Sequence, residues 1–248
     1  MVGWTLMHLN DNDGAFAMGL AAETMGTRLN HMRAAISGCN VQAHILRRRA
    51  EHGASLERLE KSLAWARQIA AVNFESDSLY DMALNHLALG DREQANRFAR
   101  EALDLIREVG LAFLGPITLA GVALSTDDVK ERRSLLDEAE AILDSGRCVS
   151  HNQLYFPEEV IPDELARGAW DAAERHALRL ESYTAAEPLP RASQIIEATK
   201  ELVAWGRGQR SPQRAERLHR IAADARATNL HEFAEAVNSL GIPDVYDA

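Results

Sequence analysis

The sequence predicts an all-α fold: a right-handed superhelix, or α-solenoid, of about six stacked helical hairpins. Three observations carry this expectation. Ala, Leu, Arg and Glu dominate and aromatics make up only 6% of the 248 residues, so strong helix formers prevail. No run alternates Val, Ile or Thr with polar residues in the way a half-buried strand does. A stripe of small residues, Ala95-Ala99-Ala102, recurs in phase as Ala15-Gly19-Ala22, Leu59-Leu63-Ala66, Arg132-Leu136-Ala139, Ala173-Ala177-Leu180 and Ala215-His219-Ala222. Their first positions are spaced by 44, 36, 37, 41 and 42 residues, and a fixed period of this size is the mark of a repeat array. Residues three and four apart share one helix face, so each stripe lets an antiparallel neighbour approach closely.

Taken in order, each element has its own signal. The first leading helix runs only from about Val2 to Leu9, whereas its counterparts have about a dozen residues. Trp4, Leu6 and Leu9 therefore face an incomplete partner surface, and the first repeat reads as truncated at its N-terminus. A turn at Asn10–Asp13 precedes the first stripe. Ser55-Leu-Glu-Arg, Asp77 and Asp91 read as helix caps, because their side chains can satisfy the free backbone donors of a first turn. A helix carrying Leu84 and Leu87 ends at Gly90. Gly115-Pro116 opens a helix through Leu124, and Ser125–Asp128 is a turn. Ser150-His-Asn-Gln153 fits a capping box. Pro157 and Pro162 interrupt the helix that follows, so a kink or a break restarting near Pro157 is expected. Ser211-Pro212 places proline at a first helical position. Gly26, Gly53, Gly90, Gly110, Gly146, Gly168, Gly208 and Gly241 sit where helices should stop. About twelve helices in antiparallel pairs, with no long linker, make residues 1–248 a single repeat domain.

A glycine turn followed by a small-residue stripe resembles the tetratricopeptide repeat, with longer helices or loops than the usual unit. From Phe113 to Gly241 the order is more specific. It comprises Leu114-Gly-Pro116, Thr126-Asp-Asp128 with Arg132-Arg133, Cys148-Val-Ser-His-Asn152, Gly168-Ala-Trp-Asp171, Tyr183-Thr-Ala-Ala-Glu-Pro-Leu-Pro190 and Trp205-Gly-Arg-Gly208. This order resembles the C-terminal helical-repeat region of large bacterial signalling ATPases and class III adenylate/guanylate cyclases. The resemblance implies a bacterial signalling context and an ATPase or cyclase module, or another copy of the chain, as partner. It implies no catalysis here, because that machinery lies in upstream domains. No Gly-rich phosphate loop ending in Gly-Lys-Ser/Thr is present.

Composition narrows the remaining classes. A net charge of −10 and an isoelectric point near 5.4 oppose nucleic-acid binding, which needs a positive field. No apolar run approaches twenty residues and the start lacks the features of a secretory signal, so a cytoplasmic protein without a membrane span is expected. Cys39 and Cys148 read as reduced, partly buried thiols. Cys148 and His151, or Cys39 and His44, offer at most two metal ligands each, and a structural zinc needs four. His231-Glu-Phe-Ala-Glu235 lacks the second histidine of a zinc-protease helix, so no metal and no cofactor is expected. Ser150, His151 and Asn152 are adjacent at a helix start and cannot converge on one reacting atom.

Binding is what remains. His151, Asn152 and Tyr155 on a leading helix are candidates for an inner-face binding patch. Arg47-Arg48-Arg49 is one basic concentration; the other spans 207–226, where six arginines meet only Glu216 and Asp224. In that stretch Arg210, Arg214 and Arg217 are read as one helical face, either solvated or a docking strip for an acidic partner. Trp65, Trp170, Trp205 and Phe98 read as core. The functional expectation is a non-catalytic protein–protein interaction or regulatory module that binds a peptide or partner domain on its concave face. The alternative is a small-molecule sensor controlling an upstream ATPase or cyclase.

Overall fold

The computed structural model describes residues 2–242, and these form thirteen helices with no strand among them. In chain order they are α1 (Val2–His8), α2 (Asn12–Arg28), α3 (Met32–Arg48), α4 (His52–Gln68), α5 (Val72–Ala88), α6 (Arg92–Val109) and α7 (Gly115–Ser125). Then come α8 (Val129–Asp144), α9 (Asn152–Ala166), α10 (Trp170–Thr184), α11 (Pro190–Gly206), α12 (Pro212–Ala227) and α13 (His231–Ser239). The fold is all-α, and consecutive helices pack on one another in the manner of an α-solenoid. Among the described residues two compact units are distinguished: 2–7 with 11–152, and 8–10 with 153–242.

In the first unit every helix from α2 to α7 packs against its successor, and α3 also touches α5, as α5 touches α7. The leading helices α3, α5 and α7 thus lie in a row, with α4 and α6 each packed against two of them. The stripes do what their spacing predicts: Ala95, Ala99 and Ala102 are all fully buried, as are Leu59 and Ala66. The α2–α3 crossing is closer still. A Cβ on Gly38 would stand 2.5 Å from both the Glu23 amide nitrogen and the Gly19 carbonyl. In the second unit α10 packs on α11, α11 on α12 and α12 on α13. Ile161 and Leu165 of α9 share its core with Ala173, Ala177, Leu180, Ile195, Leu202, Leu218 and Phe233.

The helix stops are more regular than glycine placement suggests. Left-handed residues fall at Asn10, Asn30, Ala50, Ala70 and Gly90, one every twenty residues. At four of them the next amide closes back five residues: His31 to the Gly26 carbonyl, Glu51 to Leu46, Ala71 to Ala66 and Asp91 to His86, at 2.7–2.9 Å. This is the Schellman arrangement, which satisfies carbonyls that the helix end would otherwise leave open. Gly26 and Gly53 are therefore not stops. Gly26 lies inside α2, where a Cβ would meet the Ala35 amide at 2.5 Å, and Gly53 lies in the first turn of α4 over open space.

Other sequence expectations also need correction. Asp91 and Ser211 cap α6 and α12 as expected, accepting from the Gln94 and Arg214 amides at 3.1 and 3.2 Å. Asp77, however, sits in the second turn of α5, where Asn40 of α3 donates to it at 2.7 Å. Ser55 lies within α4 and donates to the Ala43 carbonyl at 2.8 Å. The helix after Ser150 begins at Asn152, too late for a capping box. α9 then runs to Ala166 through Pro157 and Pro162 without a break.

Candidate functional site

In the first unit, polar side chains concentrate where the leading helices face one another. Residues four apart share a face, so Asn40 and His44 on α3 look onto Asp77 and Asp81 on α5. Asn40 donates to Asp77 Oδ2, and its own Oδ1 accepts from the hydroxyls of Ser62 and Ser78. One turn along, Asp81 Oδ1 lies 3.6 Å from His44 Nδ1 and 3.5 Å from Arg47 Nε, with all three side chains less than a tenth exposed. Trp4 presents its ring edge-on to His44 at 5.8 Å. A further turn along, Asn85 donates to Ser55 Oγ at 3.0 Å and lies 3.1 Å from His52 Nδ1. The meeting of α3, α4 and α5 is thus a ladder of polar rungs, two between α3 and α5 and a third between α5 and α4, in contrast to the alanine stripes.

Burial sets the electrostatics of the ladder. It lowers the His44 imidazole to about 4, with the nearby Arg48 charge adding to the effect and Asp81 opposing it, so His44 is neutral at pH 7. Asp77 is pushed up to about 7, first by desolvation and then by the Asp81 charge one turn away. Asp81 itself stays below the usual carboxylate range. Burial would raise it, but His44, Arg47 and Arg48 more than offset that. One carboxylate therefore holds or releases a proton near neutral pH beside a neutral imidazole and a fixed anion. Perturbed groups clustered in this way are a feature of functional sites, and also of structural ion networks. The sequence reading missed the cluster because Asp77 looked like a cap. The available signal was the paired i, i+4 spacing of Asn40/His44 and Asp77/Asp81.

The residues singled out from sequence fall into two groups. His151 stacks its ring edge on Phe113 at 5.2 Å, and Asn152, fully buried, donates to the Phe113 and Val149 carbonyls at 2.9 and 3.0 Å. Asn152 is thus engaged in holding the turn before α9. Tyr155 is 8% exposed, with its ring 5.1 Å from that of His8. In the second unit, Arg214 and Arg217 both bond Glu201, at 2.8 and 2.5 Å. Burial pushes Glu201 up, but these bonds and charges hold it below its usual range. Arg210 precedes α12, because the helix begins at Pro212; its guanidinium lies over Trp205 at 5.6 Å. The three arginines therefore do not form one helical face. Beside Glu201, a cleft of about 400 Å³ opens between α10, α11 and α12, with Glu181, Glu197, Lys200 and Arg217 around Ile196.

Of the aromatics expected in the core, Trp205 is 4% exposed, while Trp65, Trp170 and Phe98 are only partly covered. Phe98 is held between His86 and Arg97, and Trp65 lies beneath Lys61. Among the described residues no group of His, Cys, Asp and Glu is arranged to hold a metal ion, and no helix is long and apolar enough to cross a membrane. Compared with known proteins, the chain matches no family model and no curated protein.

Proposed function

We propose that this chain is a non-catalytic interaction or regulatory module of tetratricopeptide type, serving a bacterial signalling protein and working by binding a peptide or partner domain. The carrying observation is the packing of α3 against α5 and of α5 against α7. Leading helices set side by side present side chains in rows, an arrangement suited to reading an extended or helical ligand. An ATPase or cyclase module, or another copy of the chain, is the partner this reading favours. The test is affinity capture followed by titration calorimetry of the purified partner against the chain and its His151→Ala variant, at two salt concentrations. Saturable binding that weakens in the variant supports the reading. Absence of any saturable protein partner, with turnover traced to this chain, would remove it.

The buried His44–Asp81–Arg47 grouping beneath Trp4 favours a second reading, a small-molecule sensor. Buried polar groups beside an aromatic edge are the kind of lining that fixes a small ligand's orientation. A thermal shift with a metabolite, abolished by Asp81→Asn, would favour the sensor over the protein-binding module.

A further inference from the structure

We propose that the cleft between α10, α11 and α12 is a pocket for an arginine side chain of a partner peptide, whose guanidinium pairs with Glu197. This pocket rests on the peptide-binding reading above and gives it a side chain to select. Glu197 and Glu201 lie four residues apart, one turn apart on a single face of α11. Glu201 is answered twice from α12: Arg214 Nε donates to it at 2.8 Å and Arg217 Nη1 at 2.5 Å. Glu181 of α10 is answered by Lys200 Nζ at 2.6 Å. Glu197 lines the same cleft and is exposed, yet among the described residues no hydrogen bond or ion pair reaches it. The packing gives the reason. Past Arg217 the buried face of α12 continues as Leu218, Ile221 and Ala222, which have no charge to offer. Arg220 is exposed and does not line the cleft.

The lining decides the chemistry of the occupant. Three carboxylates and two cations face the cleft. With Glu187, beside lining Pro188, and Arg214, on Glu201, both added, carboxylates still outnumber cations by one. The end of α10 works in the same direction. Thr184 and Ala185 line the cleft, and no basic residue in the last turn offsets the partial negative charge of that helix terminus. One side is apolar, formed by Ile196, which is 8% exposed, with Ala185 and Pro188. A long cationic side chain meets both demands, its methylenes on the apolar side and its charged head on the carboxylate. Arginine suits Glu197 better than lysine does. Its planar fork can take both carboxylate oxygens, and one turn along α11 Glu201 already accepts two guanidinium groups. The volume of about 400 Å³ lies at the lower end of the roughly 300–1,000 Å³ of ligand pockets, a size for one side chain rather than for a folded domain.

The experiment titrates the full, isotope-labelled chain with a capped Gly-Ala-Arg-Ala-Gly peptide and follows backbone amide shifts by NMR. Saturable shifts centred on Thr184, Ala185, Ile196 and Glu197 are expected, with affinity falling severalfold from low to high salt. The same peptide with citrulline in place of arginine keeps the shape without the charge and should not saturate. Glu197→Gln should weaken arginine-peptide binding about tenfold. Glu235→Gln, an exposed acid of α13, is the matched control and should leave it unchanged. Lys200→Ala frees Glu181 and should tighten binding severalfold, a gain that damage to the fold does not produce. The replaced side chains are exposed, and circular dichroism melts check that each variant is folded. Equal binding of the citrulline peptide, or binding indifferent to Glu197→Gln, overturns the pocket. So does agmatine, a free amine with the same guanidinium, binding as tightly as the peptide. A captured protein partner that binds saturably but ignores Glu197→Gln removes this pocket alone and leaves the interaction module standing.

Discussion

Replacing Asp77 with Asn probes the ladder between the leading helices where its energetics are least ordinary. The exchange keeps the shape and an oxygen that can accept from Asn40 Nδ2, now at 2.7 Å, while removing the ionisable carboxyl. In the folded chain this carboxyl is raised from 3.8 to about 7. A group whose folded value is raised contributes stability that is fully present below 3.8 and lost as pH rises through 7. Three units correspond to about 4 kcal/mol, roughly halved to about 2 kcal/mol because solvent reaches this partly buried side chain. Asp77→Asn should therefore stabilise the chain by about 2 kcal/mol at pH 8 and change little at pH 4. His44 works in the opposite direction. Its folded value is lowered from 6.5 to about 4, so its contribution is full above 6.5 and lost as pH falls through 4. Between those values the two slopes oppose each other, and the variant should expose the rising His44 limb. Urea unfolding of both chains at pH 4, 6 and 8 measures this. An equal change at all three, or destabilisation at pH 8, would refute the reasoning.

Four further outcomes follow from the same packing. Ala50→Gly and Ala70→Gly relieve left-handed backbone at φ 59° and 50° and should each stabilise by about 0.5–1 kcal/mol in chemical denaturation. Gly38→Ala should cost about 2 kcal/mol or more, because its Cβ meets backbone at 2.5 Å, whereas Gly53→Ala, over open space, should gain about 0.5–1 kcal/mol. The Cys39 thiol is pushed up to about 12 by burial and the neighbouring Glu23 charge, so Ellman's reagent should spare it in the native chain and leave the signal of Cys39→Ser unchanged. Glu158→Ala leaves Arg191, 3% exposed, without its carboxylate and should destabilise by about 3–5 kcal/mol, read as a fall in the urea midpoint.

Much of the architecture was legible because tight helix packing restricts residue type on its own. Ala95, Ala99 and Ala102 can be recognised without knowing their neighbours, since few other side chains permit so close an approach. The stops at Ala50 and Ala70 were not legible. Alanine carries no turn signal, and the surrounding hairpin imposes the left-handed conformation on it. Asp77 was misread for a related reason. An acid that caps a helix and an acid that faces another helix look alike in one sequence, and what separates them is Asn40, 37 positions away. The candidate site was less legible than the fold. Asn152 has the composition of a binding residue but is engaged by two local carbonyls, while Arg214 and Arg217 are drawn to a carboxylate on the preceding helix.

The contrast between stripes and ladders bears on how register is specified. Small, smooth stripes bring helices close, but neighbouring alanines are nearly equivalent, so sliding by one turn changes their burial little. Polar rungs remove that freedom. Shifting α5 by one turn along α3 would move Asp81 from His44 and Arg47 and leave buried charge unmatched, a loss of several kcal/mol. The second unit uses the same device, with Arg191 of α11 donating through Nε and Nη2 to Glu158 of α9 at 2.8 and 2.6 Å. In both units polar bonds join one leading helix to another, and further bonds tie the trailing helices to them, among the alanines that bring the helices close. Polar rungs of this kind fix the order of side chains along the leading helices, and a binding surface built from repeats depends on that order.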